Sequence, residues 1–165
     1  MPQLINSDGT VGKDNWHIIE AGADIPSALA TGSAIIALAD FLSLSDEDAA
    51  TASCGVWLGS ADDVSVLNDT CKNIPVIAFC FDNFMDGRNF SSARILHDHL
   101  DYQGDIRAVG SYIQDQLLYL SRCGFKSFEV SDDANVDSMI KSLQIISESY
   151  QAGTDEPQPL FRRRT

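Results

Sequence analysis

The stretch that decides the fold is IPVIAFCFD, Ile74 to Asp82. A strand half covered by water alternates apolar and polar residues. One that stays apolar along its length is covered on both faces, as strands of parallel sheets are. Working outward, AIIAL (34–38), CGVWLG (54–59), DIRAVGS (105–111) and FKSFEV (125–130) read as further short strands. Helical patterns separate them. SDEDAA (45–50) starts one, with Ser45 as N-cap and Asp48 three residues on. SADDVSVLNDTC (60–71) is a second, with Ser60 as cap and Asp62 and Asp63 favouring the N-terminus. SSARILHDHLDY (91–102) and YIQDQLLYLSRCG (112–124) follow, the latter stopped by Gly124. VDSMIKSLQIISESY (136–150) carries Met139, Leu143 and Ile146 on one stripe.

Strand followed by helix, repeated about five times, predicts an α/β fold of repeated β-α units with a mainly parallel sheet. The sheet is open or curved like a partial (β/α) barrel; periodicity does not separate these. LINSDGTVGKDNWHIIE (4–20) adds a short N-terminal β-hairpin turning at Ser7–Gly9. The reading gives one domain over residues 1–150, with 1–33 as hairpin and link and 34–150 as the repeat core. Residues 151–165 read as a loose tail, or one docked only through Leu160 and Phe161.

The totals fit such a domain. The 165 residues are 44% hydrophobic and 21% charged, enough to bury a core without staples. The formal net charge of −13 repels phosphate backbones and argues against a nucleic-acid partner. No apolar run is long enough to cross a bilayer, and the start has no leader pattern, so a cytoplasmic protein with no membrane partner is expected. Cys54, Cys71, Cys80 and Cys123 show no CxxC spacing and read as buried thiols. His97 and His99 point to different sides of a helix, so no metal is expected. Phosphate-loop, dinucleotide and nucleophile-elbow motifs are absent, and no cofactor is identified.

In parallel α/β folds, ligands bind at the carboxyl ends of the strands. The strand at 74–81 delivers the chain into Asp82–Arg88, and the strand at 105–110 delivers Gly110 and Ser111. Four of the seven arginines, Arg88, Arg94, Arg107 and Arg122, fall between residues 88 and 122. Arg122 suits the last turn of its helix. Arg88 has Asp86 as a local partner. Arg94, in a first helical turn, calls for Asp98 at i+4 or a bound anion. Arg107, inside a covered strand, calls for a carboxylate or an anion, and Asp82 is a candidate if the strands neighbour each other. An anion pocket is thus expected from Arg88, Ser91, Ser92, Arg94 and Arg107, with Ser91 or Ser92 opening the helix. Gly87, Gly110, Ser111 and Gln116 would support it. Asp82 and Asp86 are the candidate acid/base groups.

The stretch 84–125 carries a resemblance. Phe84–Arg88, Ser91–Arg94, Arg107–Gly110, Asp115–Leu117 and Arg122–Phe125 resemble, in order, the motifs of a bacterial family, domain of unknown function 934. Gly55–Leu58 and the Tyr150–Arg164 ending also fit, so the likeness spans roughly residues 34–164. Met85 stands where a small polar residue is the family's habit. The family is commonly labelled an oxidoreductase of sulfite reduction. The resemblance implies a bacterial cytoplasmic protein of sulfate assimilation and cysteine biosynthesis. Three hypotheses follow. The first is an accessory protein that binds sulfite reductase, another sulfur-assimilation protein, siroheme or a small anion through the arginines. The second is a small enzyme, an oxidoreductase by the family's label, acting on a sulfur or phosphate oxyanion with Asp82 or Asp86 as acid/base. The third is a structural or regulatory protein whose arginines lock helices to the sheet.

Overall fold

The computed structural model describes residues 3–30, 32–45 and 54–163. The helix start read at 45–50 lies outside them apart from Ser45, as does Arg164. The described residues form an eight-stranded sheet: β1 (Gln3–Asn6), β2 (Val11–Lys13), β3 (His17–Ile18), β4 (Ala34–Ala37), β5 (Gly55–Leu58), β6 (Val76–Phe81), β7 (Asp105–Gly110) and β8 (Ser127–Val130). Their order is β2-β1-β8-β7-β6-β5-β4-β3. From β3 to β8 every neighbour is parallel and consecutive, while β1 pairs antiparallel with both β2 and β8.

That order explains the shape. Each crossover steps in the same direction, which, for the right-handed connections that parallel strands use, puts the helices on one face. The sheet curls away from them into a half-barrel, the curved alternative of the two expected. The helices are α1 (Ile25–Leu29), α2 (Leu38–Ser43), α3 (Arg88–Asp98), α4 (Leu117–Arg122), α5 (Val136–Leu143) and α6 (Leu160–Arg163), with 3₁₀ turns at Val64–Asn73 and Gln114–Gln116.

β6 is covered on both sides, as its apolar run requires. Ile77, Phe79 and Phe81 face the helical layer with Leu58, Leu67, Leu96, Ile106, Leu117 and Phe128. Val76 and Ala78 face the concave side with Ile35, Val109, Trp16, Trp57 and Cys80. Trp16 follows β2, and the Trp57 indole N–H donates to the Ile19 carbonyl at 2.8 Å. The N-terminal segment therefore lies across the hollow of the half-barrel.

Several helix boundaries differ from the sequence reading. α3 starts at Arg88, not Ser91, because Gly87 serves as N-cap and the Asp86 carboxylate accepts the Arg88 backbone N–H at 3.1 Å. The helix read at 60–71 is a 3₁₀ helix over Val64–Asn73, broken at Asn68 (φ 41°), with Asp63 rather than Ser60 as cap. α4 begins only at Leu117, after a 3₁₀ turn. α5 ends at Leu143, and Ile146 is exposed; the β-branched and serine-rich residues beyond it are weak helix formers. Residues 150–163 fold back on the domain: Thr154 N–H donates to the Arg122 carbonyl at 3.0 Å and Leu160 N–H to that of Tyr150 at 3.0 Å. No helix among the described residues is long and apolar enough to cross a membrane.

Candidate functional site

Cross-strand pairing puts Trp57, Ala78, Arg107 and Ser127 in one row on the concave face. Asp82 lies four residues beyond Ala78, about 13 Å along the strand, so it does not meet Arg107. The partner is Asp14. Arg107 Nη1 donates to both Asp14 carboxylate oxygens at 2.7 Å, and Nη2 donates to Asp105 Oδ2 at 3.0 Å. Nε donates to Ser127 Oγ at 3.2 Å, and the Ser127 hydroxyl bonds Asp105. Arg107 and Asp14 are 3% and 5% exposed, so the protein's own carboxylates satisfy this cation where an anion ligand was an alternative.

At the end of β6 the turn 82–88 is tied down by its own side chains. Asn83 Oδ1 accepts the Met85 N–H at 2.9 Å. Arg88 Nε and Nη2 donate to the Asp86 carboxylate at 3.0 and 2.7 Å, and Nη2 also reaches Ser60 Oγ at 3.1 Å. Gln116 Nε2 donates to the Phe84 carbonyl at 2.8 Å. Asn89, 1% exposed, donates through Nδ2 to the Cys80 carbonyl at 2.9 Å. The Arg88 side chain and backbone N–H, followed by Ser60, hold the Asp86 carboxyl well below the usual carboxylate range. Asp86 is a fixed anion and a poor proton carrier. Asp82 is exposed.

The arginines of the expected pocket therefore go to three places. Arg88 stays on the turn with Asp86. Arg107 lies under the N-terminal segment. Arg94, in the second turn of α3, pairs with Asp98 at 2.5 Å. Ser91 is exposed and Ser92 half-buried within α3, past its first turn. Gly87 has open space where a Cβ would stand. Gly110 turns the end of β7 at φ +93°, and Ser111 N–H donates to the Phe81 carbonyl at 2.6 Å.

What the strand ends do form is a cavity of about 310 Å³ beyond β7 and β8, lined among others by Gly110, Tyr112, Gln114, Glu129, Asn135 and Met139. Tyr112 closes one side, its hydroxyl donating to the Glu129 carbonyl oxygen at 2.5 Å. Gln114 Nε2 ties the opposite wall to Ser138 Oγ and Ser142 Oγ at 2.9 and 2.7 Å. The Glu129 carboxyl has no hydrogen-bond or ion-pair partner among the described residues. Burial, then the nearby Asp14, push its pKa up, and Arg107 opposes them. Sequence reasoning missed Glu129 and Asp14. Glu129 had a signal: in FKSFEV it alternates with Ser127 on the face opposite Phe128 and Val130. Asp14 had none, since its partner is 93 residues away.

A raised carboxyl has a testable sign. Above its ordinary value of 4.5 and up to its raised value, Glu129 binds more proton in the folded than in the unfolded state. Its contribution to stability therefore falls as pH rises through that window. Glu129→Gln is expected to melt higher than the wild type at about pH 7 and level with it at about pH 4. Equal melting at both would show that the folded site does not strain the charge.

The cysteines are free. Burial raises all four thiols, Cys80 to about 12 with further push from Asp82, Glu129 and Asp62.

Residues 55–161, well over half the chain, match the family model described as a bacterial protein of unknown function (DUF934). No curated protein matches the chain, and no solved structure does.

Proposed function

The chain belongs to the bacterial family of unknown function DUF934, and from that premise we propose that it is an accessory protein of assimilatory sulfite reduction. It docks through the turn at the end of β6 onto sulfite reductase or another protein of sulfur assimilation. The sulfite-reduction context comes from the family resemblance of the motifs at 84–125. The observation that carries a docking role is the pair Phe84 and Met85, 48% and 78% exposed, on a turn whose backbone is held by Asn83 and Gln116. Aromatic, Met and Arg side chains are enriched in interface cores, and Arg88 stands beside the pair. A pre-set turn loses little freedom on binding.

Two measurements test this. A strain lacking the gene is expected to grow on sulfide or cysteine but not on sulfate or sulfite. Purified Met85→Asp is expected to fold as the wild type does and to bind sulfite reductase at least tenfold more weakly, about 1.4 kcal/mol. Normal growth on all four sulfur sources overturns the pathway; equal binding by the variant overturns the docking surface.

A second reading, a small enzyme acting on a sulfur or phosphate oxyanion, is favoured by one observation. The Glu129 carboxyl, unpartnered among the described residues and raised above its ordinary value by burial, lines a cavity at the strand ends. In that reading Glu129, rather than Asp82 or Asp86, carries the proton. Turnover lost in Glu129→Gln, with the fold intact, is its mark.

A further inference from the structure

A second cavity, of about 330 Å³, opens on the helical layer, away from the strand ends. Its lining is unusual in composition: Arg94, Tyr119, Arg122, Cys123, Gln151 and Ala152. Two guanidinium groups and a phenol thus surround one space, in a chain with an excess of acidic residues. We propose that this cavity is a binding site for a small inorganic oxyanion, of the sulfate, sulfite or phosphate class, gripped between Arg94 and Arg122.

Each arginine is held by a carboxylate and also lines the cavity. Arg94 Nη2 meets Asp98 at 2.5 Å across one turn of α3. Arg122 Nη1 meets Asp155 at 3.1 Å, and Nη2 donates to the Gln151 carbonyl at 2.6 Å. A guanidinium has five N–H donors in a fixed fork. One carboxylate takes up only part of such a fork, and the fork shape suits a polyoxygen anion. The Arg122 side chain is 14% exposed, so its charge is little screened.

The C-terminal segment is shaped to complete this wall. Thr154 N–H and Oγ1 both donate to the Arg122 carbonyl, at 3.0 and 3.2 Å. Between the Gln151 and Thr154 ties to Arg122 runs Gly153, where an added Cβ would stand 3.1 Å from Arg122 Nη2 and 2.3 Å from Asp155 Oδ1. A larger residue there would push the segment off the guanidinium. Tyr119 is 61% exposed, is positioned by its ring contact with Phe90, 5.2 Å between centroids, and hydrogen-bonds Cys123 at the cavity rim.

Cys123 fits the same account. Its thiol lies at the cavity wall, 5% exposed. Burial raises its pKa, while the Tyr119 contact, Arg94 and Arg122 pull the other way. The thiol stays neutral near pH 7 and adds no charge of its own to a site where Asp98 and Asp155 already pair the two arginines.

The test uses the purified full chain, titrated at low ionic strength with sodium sulfate, sodium sulfite and sodium phosphate, and with sodium chloride at matched ionic strength. Binding is read by backbone amide shifts of residues 119–123 and by melting temperature. A saturable response to an oxyanion but not to chloride is expected. Arg94→Gln is expected to weaken it at least tenfold, and Arg94→Lys to keep part of it. Among the described residues the ion pair of Arg94 is with Asp98, on the surface, so the variant keeps its fold. Sulfate also stabilises proteins generally by exclusion, so an unsaturable rise, or an equal one in Arg94→Gln, overturns the proposal. Neither result bears on Met85→Asp, which probes the docking turn separately.

Discussion

Arg107→Ala is expected to destabilise the protein by about 3–5 kcal/mol, the cost of leaving one half of a buried ion pair behind. The orphan would be Asp14, 5% exposed, whose carboxylate oxygens both rest on Arg107 Nη1. Asp105 would be less affected, because it keeps the Ser127 hydroxyl. Domains of this kind are stable by about 5–15 kcal/mol in total, so the loss is a large fraction. Asp14→Ala alone should cost less, since Arg107 retains Asp105. The double variant Asp14→Ala/Arg107→Ala should fall short of the sum by about 0.5–3 kcal/mol, the coupling typical of residues in one network. Denaturant midpoints of the four proteins measure it. Additive losses would show that the two charges are held independently.

The second large loss is expected from Gly110→Ala. The backbone there is left-handed, φ +93°, which costs an L-residue about 1–2 kcal/mol. An added Cβ would also stand 2.6 Å from the Phe81 carbonyl oxygen, an atom that already accepts the Ser111 N–H. Backbone cannot yield as a side-chain tip does, and overpacking of this sort adds about 1–3 kcal/mol. Because Gly110 also lines the cavity holding Glu129, amide shifts at 129–131 should move with it. A variant as stable as the wild type would show that β6 and β7 part easily at this end.

These two positions mark how far the sequence could be read. β6 was legible because an apolar run over 74–81 can only be covered on both faces, and the β-α alternation around it leads to a mainly parallel sheet. The curl was not legible, since it depends on strand order. Helix starts were misread where side chains imitate caps. Ser91–Ser92 looks like an opening, yet Gly87 and Asp86 had already begun α3. Ser60 looks like a cap, yet its hydroxyl accepts from Arg88. The arginine cluster was visible as a count, but which of the four share a space depends on helix faces and a returning C-terminal segment. Arg122, read from the sequence as suited to a helix end, lines a cavity with Arg94, while Arg88 and Arg107 go elsewhere.

The pairing of β1 with β8 carries a consequence for the order of assembly during synthesis. β4, β5, β6 and β7 each find their neighbour in the strand made just before. β1 does not: its ladder to Ser127–Val130 can close only after about 120 more residues have emerged, roughly 6–24 s at ribosomal speeds. Asp14 likewise waits for Arg107, 93 residues on. On the ribosome Trp16, next to β3, can reach the apolar floor at Ile35 early, while Arg107 lacks Asp14 and β8 lacks β1 until the chain's two ends meet.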